Sequence, residues 1–88
     1  MTQITVDAID YRVDVDVFPG RDRVAIVGPD GFEAAVAYLW HDMEQGEVIY
    51  MEEGVESHHI NMPSDLFFEG DTTEIAEWMA GTHPAAYA

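Results

Sequence analysis

The chain of 88 residues contains no cysteine and no lysine. The first absence excludes disulfide staples, thiolate zinc sites and cysteine nucleophiles. The second leaves Arg12, Arg21 and Arg23 as the only strong cations. Three guanidinium groups cannot supply the phosphate contacts that dominate nucleic-acid affinity, so direct nucleic-acid binding is not expected. Long apolar runs are also missing. The longest, Ala34 to Trp40, covers seven residues, against the roughly 20 needed to cross a bilayer. No basic stretch precedes an apolar segment near Met1, so no membrane partner is expected, and a soluble, cytoplasmic protein is. No low-complexity stretch or linker interrupts the chain, which is read as a single domain over 1–88 with an ordered core at about 4–81 and a tail at 82–88.

What is abundant is negative charge. Eighteen Asp and Glu residues face three Arg, for a formal net charge of -15. Such a charge repels itself in the compact state, whereas at about 1 M salt the screening length falls to about 3 Å and most of that penalty disappears. The acids are spread along every segment. With the absence of lysine, that composition resembles proteins of salt-accumulating halophilic archaea, which concerns habitat and not family. The alternative, carboxylates imitating a phosphate row to occupy a DNA-binding partner, requires the acids to gather on one face.

Apolar residues make up 48% of the chain and aromatics 11%, enough to fill one modest core. Ile9, Tyr11, Val13, Val15 and Val17 alternate with Asp10, Arg12, Asp14 and Asp16, the pattern of a strand with one buried face. Upstream, Ile4, Val6 and Ala8 alternate in the opposite phase, which calls for a bulge or bend near Ala8. Pro19-Gly20 fits the centre of a type II turn, with Val24 to Val27 returning as a second strand.

From Asp30, read as an N-cap with Glu33 three residues on, a helix is expected to run to about Gln45. Its apolar stripe would be Phe32, Val36, Leu39 and Met43, with Trp40 at the edge and Gly46 just past its end. Val48 to Met51 and Glu56 to Met62 read as a hairpin turning at Glu53-Gly54. A last helix starts at Asp71, which caps it with Glu74, presents Ile75, Trp78 and Met79, and stops at Gly81 ahead of Pro84. The expected fold class is therefore α+β, in the order β-β-α-β-β-α, a mainly antiparallel sheet with two helices on one face.

No catalytic or cofactor motif emerges, so an enzyme is not the first expectation and no cofactor is implied. The four histidines, His41, His58, His59 and His83, are weak metal candidates. His58 and His59 would point to opposite faces of a strand, and no pair has a zinc-motif spacing. Acidic pairs such as Asp14 and Asp16 occur too often to mark general acid–base chemistry. Gly28 to Gly31 lacks the glycine spacing and the lysine of a phosphate loop.

One departure from the acidic background remains. On the expected first helix, Ala34, Ala37, Tyr38 and His41 form an uncharged side opposite the core stripe, a candidate interface. Leu66-Phe67-Phe68 is a second apolar candidate, with Phe67 and Phe68 either plugging the core or presenting a patch to a partner. These features point to a halophile-adapted interaction or regulatory domain that associates with a protein partner, most simply as a homodimer through that helix or a sheet edge. The other classes are a small ligand- or metal-binding protein or enzyme built on His41 or His59 in an acidic pocket, and the acidic nucleic-acid mimic.

Overall fold

The computed structural model describes residues 2–82. Six strands are followed by two helices: β1 Thr2–Val6, β2 Ile9–Phe18, β3 Arg21–Val27, β4 Glu33–Trp40, β5 Gln45–Glu52, β6 Val55–Asn61, α1 Ser64–Glu69 and α2 Thr72–Thr82. The strands form one antiparallel sheet in sequence order, an up-and-down meander in which each strand pairs with its predecessor through a short connection. Mixed α and β composition and an antiparallel sheet are present as expected, and α2 falls where the second helix was expected; α1 was not expected. The order β-β-α-β-β-α is not present, because both helices come after the last strand.

The expected first helix is β4 and the turn after it. Ala25 of β3, Val36 of β4 and Val48 of β5 are fully buried, as are Ala35 and Ala37. A central strand covered on both faces reads as a continuous apolar run, and a run of that kind carries no period that separates strand from helix. The stripe of Phe32, Val36, Leu39 and Met43 dissolves accordingly. Phe32 and Met43 are exposed in the flanking turns, whereas Val36 and Leu39 point to opposite faces. Asp30 caps no helix; its Oδ1 accepts the Phe32 N–H at 3.0 Å and tightens the β3–β4 loop. Gly46 ends no helix either. It pairs with Leu39 inside the sheet, with Met62 so close that a Cβ at Gly46 would lie 2.9 Å from the Met62 Cβ.

The phase change near Ala8 is a reversal, not a bulge. Asp7 and Ala8 both adopt left-handed backbone, φ 53° and 65°, the signature of a two-residue primed turn that folds β1 back on β2. Pro19-Gly20 behaves as expected, with Gly20 at φ 79° in the position where a type II turn requires it. The β5–β6 hairpin is also where it was expected.

The helices cover one face of the sheet. Ile4, Tyr11, Val13, Val24, Ile26, Ala35, Ala37, Leu39, Val48 and Tyr50 form the sheet side of the core, and Ile75, Ala76, Met79 and Ala80 of α2 form the helix side. Small residues meet there from both layers, Ala35 and Ala37 below and Ala76 and Ala80 above, so the helix backbone can approach the strands closely. The α2 start is a reciprocal capping box: Glu74 N–H donates to Asp71 Oδ1 at 2.8 Å and Asp71 N–H to Glu74 Oε1 at 3.2 Å, two otherwise orphaned donors satisfied together. The helix continues through Gly81 to Thr82, so Gly81 does not stop it. The tail proposed at 82–88 lies, beyond Thr82, outside the described residues.

Candidate functional site

Among the described residues no helix lies on the second face of the sheet, and all three arginines stand on it. The register sets its side chains in rows across the strands. One row holds Asp14, Ala25, Val36, Ile49 and His59, the next Asp16, Arg23, Tyr38, Glu47 and Asn61, and the last Phe18, Arg21, Trp40 and Gln45. Arg23 reaches back across the first of these rows to Glu33, with its Nη2 2.8 Å from Oε2. That ion pair spans the row of Ala25 and Val36, both completely buried on this face. Burial opposes the charge on Arg23, but its interactions with Glu33 and Tyr38 outweigh it and hold the guanidinium above its ordinary range. Arg12 pairs with Asp14 on its own strand at 3.1 Å.

Arg21 is different, because among the described residues it has no carboxylate partner. Its guanidinium carbon sits 4.8 Å from the ring centre of Tyr38, 5.1 Å from that of Phe18 and 5.3 Å from that of Trp40. Tyr38 and Trp40 are themselves stacked, with ring centres 6.1 Å apart. Each contact is within cation–π range, and a guanidinium lying on aromatic faces keeps N–H groups free to donate elsewhere. Phe18, Arg21 and Trp40 did not stand out in the sequence. The legible signal was the two-residue Pro19-Gly20 turn, which places Phe18 and Arg21 directly opposite each other.

The residues singled out from the sequence do not form one face. Ala37 is buried under α2. Ala34 sits partly buried at the irregularity between β3 and β4, and Tyr38 lies on the open face. His41 occupies the turn after β4, its Nε2 3.2 Å from Asp22 Oδ2. Phe67 packs against the core, and Phe68 meets it edge-on at 5.0 Å while remaining exposed.

His41 and Asp22 line a cavity of about 370 Å³ with Leu39, Phe67, Phe68 and Thr72. A carboxylate can orient an imidazole there for proton transfer, and among the described residues no hydroxyl is hydrogen-bonded to His41. His58 and His59 lie on opposite faces of β6, as strand geometry requires. His59 Nδ1 is 2.9 Å from Glu47 Oε1 and Nε2 is 3.7 Å from Glu56 Oε2. Among the described residues no three His, Asp or Glu side chains converge as metal ligands; His83 lies outside them. No helix among them is long and apolar enough to cross a membrane.

No protein-family model matches the chain, and no curated protein or solved structure is significantly similar to it.

Proposed function

We propose that the chain is a non-catalytic interaction domain, adapted to molar salt, that pairs with a second copy of itself through the open face of the sheet. The observation that carries this reading is the cluster of Arg21 with Phe18, Tyr38 and Trp40, an aromatic patch with one unneutralised cation on a chain of net charge -15. Aromatic residues and arginine are the side chains most enriched at protein interfaces.

The register supplies the complementarity. Arg23, Tyr38 and Glu47 share one row, and Arg21, Trp40 and Gln45 the next. A two-fold axis along β4 therefore sets Arg23 and Arg21 of one copy over Glu47 and Gln45 of the other, with Tyr38 and Trp40 at the centre. The pairing is isologous, as a two-fold requires, and two sheets can pack face to face at about 10 Å. Molar salt favours it by screening the repulsion between like-charged chains.

The acidic-mimic alternative loses ground on this face. Along β2 the Asp10, Asp14 and Asp16 row is broken by Arg12, and Asp14 and Asp16 lie within ion-pair distance of Arg12 and Arg23.

Light scattering in ~2 M KCl, where exposed charges are screened, tests the pairing. The expected mass is twice the 9.8 kDa of one chain. Tyr38→Glu and Trp40→Ala are each expected to give monomers with an unchanged circular dichroism spectrum, since neither side chain belongs to the core under α2. In Tyr38→Glu the new carboxylate falls beside Arg21 and Arg23, which keeps the fold compensated while the centre of the pairing becomes repulsive. A monomeric parent protein rejects the proposal.

A further inference from the structure

A second feature lies at the opposite end of the strands, independent of the open face. The β1–β2 turn, the β3–β4 loop and the β5–β6 turn surround a cavity of about 620 Å³, within the range of small-molecule sites. Its walls are largely apolar. Ile9, Phe32, Met51 and Ala80 contribute, and Ile9 and Phe32 are partly exposed there.

Two observations say what such a cavity would take. The first is Tyr11. Its side chain lines the cavity and the residue is only 8% exposed, yet among the described residues its hydroxyl has no hydrogen-bond partner. No buried side-chain oxygen sealed from solvent lacks a partner among the described residues, so the Tyr11 hydroxyl opens to the cavity and is free to bond there. An accessible hydroxyl without a protein partner has its donor and acceptor capacity available to whatever occupies the cavity. Burial, and after it the Asp7 carboxylate, raises the phenol above its ordinary value, so the hydroxyl is held neutral next to a negative charge.

The second observation is the rim. Asp30 accepts the Phe32 N–H and Glu33 holds Arg23, but Asp7, Glu52 and Glu53, which also line the cavity, make no ion pair or side-chain hydrogen bond among the described residues. Apolar walls would favour an apolar ligand of any charge. Three uncompensated carboxylates at the mouth reject anions and select cations, and the aromatic faces of Tyr11 and Phe32 favour an organic cation over a hydrated metal ion.

We propose that this end cavity binds a small organic cation, an ammonium group carried on an apolar body. The body lies against Ile9, Phe32 and Met51. The ammonium group donates to the Tyr11 hydroxyl oxygen beside Asp7, and Glu52 and Glu53 add negative potential from the far wall of the cavity.

Amide-resolved NMR titration of the full chain, at the lowest ionic strength that preserves its native spectrum, tests this with n-hexylammonium as the probe. The expected result is saturable shifts confined to the amides around Val6 to Tyr11, Gly28 to Ala34 and Met51 to Gly54. Hexanol, which has the same apolar body without charge, is expected to bind about fivefold more weakly or worse, and hexanoate not to bind. Asp7→Asn combined with Glu52→Gln is expected to weaken n-hexylammonium about fivefold and to leave hexanol unchanged. Tyr11→Phe keeps the packing and is expected to weaken the ammonium more than the alcohol. Shifts that spread over the surface without saturating, as attraction to net charge alone would give, overturn the site. Equal affinity for the ammonium and the alcohol overturns its cation selectivity.

Discussion

The hydroxyl of Tyr50, fully buried on β5, donates to the backbone carbonyl of Met79 on α2 at 3.3 Å. It joins the sheet to the helix inside the core. Tyr50→Phe keeps the ring and removes only the donor, leaving a buried carbonyl short of one partner. The expected loss is about 1 kcal/mol, read as a lower denaturant midpoint with an unchanged slope. An unchanged midpoint means that the bond contributes nothing net.

Ala8 carries the opposite opportunity. At φ 65° its Cβ crowds the following carbonyl, a strain of about 1 kcal/mol that glycine does not carry. Ala8→Gly loses some of that gain to the greater freedom of the unfolded chain. A small net stabilisation, about 0.5 kcal/mol, is expected; a lower melting temperature instead shows that the turn does not hold its primed geometry.

These two residues also show how much of the fold was legible. The strand from Ile9 to Val17, the Pro19-Gly20 turn, the second hairpin and the Asp71–Glu74 cap are local patterns, and each was readable. Of the expected buried face of that strand, however, only Tyr11 and Val13 are buried, while Ile9, Val15 and Val17 are exposed. Ala8 hid the first turn, because alanine is not the residue expected in left-handed backbone and its presence made a reversal look like a bend. Ala34 to Trp40 misled for a different reason. Whether an apolar run is a helix with one covered face or a strand with two depends on what lies above and below it, and in this chain the cover on one face is α2, more than thirty residues away in sequence. The open-face cluster inherited that error, since Tyr38 falls beside Arg21 and Trp40 only once β4 is a strand. Tyr11 read as one more core position, because alternation shows which face a side chain takes and not whether its hydroxyl finds a partner.

His59 offers a titration with a defined sign. Its hydrogen bond to Glu47, with a further contribution from Glu56, raises the imidazole above its ordinary value. Protonation therefore favours the folded state. The contribution is fully present below about pH 6.5, the unfolded value, and is lost as pH rises through the higher folded one. Following the His59 ring protons by NMR is expected to give a midpoint above 6.5 that falls toward it both in Glu47→Gln and when salt is raised. A midpoint in Glu47→Gln equal to that of the parent protein removes the pairing as the cause.

Salt dependence follows from weighing two electrostatic effects of opposite sign. Raising salt weakens the ion pairs of Arg12 and Arg23, but these are partly exposed, and such pairs contribute less than about 1 kcal/mol each. It also weakens the mutual repulsion of the remaining carboxylates, which is the larger quantity because only three arginines stand against 18 acids. The screening length shortens from about 10 Å at 0.1 M to about 3 Å at 1 M, so repulsion between carboxylates on neighbouring turns and strands fades over that interval. The apolar side chains buried on folding add to the same trend, since excluded salts strengthen apolar burial. The melting temperature, followed by circular dichroism, is therefore expected to climb steeply as KCl rises from ~0.1 M toward ~2 M. Potassium sulfate is expected to raise it further than KCl at equal ionic strength, because its anion is more strongly excluded. A melting temperature that stays flat or falls shows that the ion pairs outweigh the repulsion, and with it the adaptation to molar salt is lost.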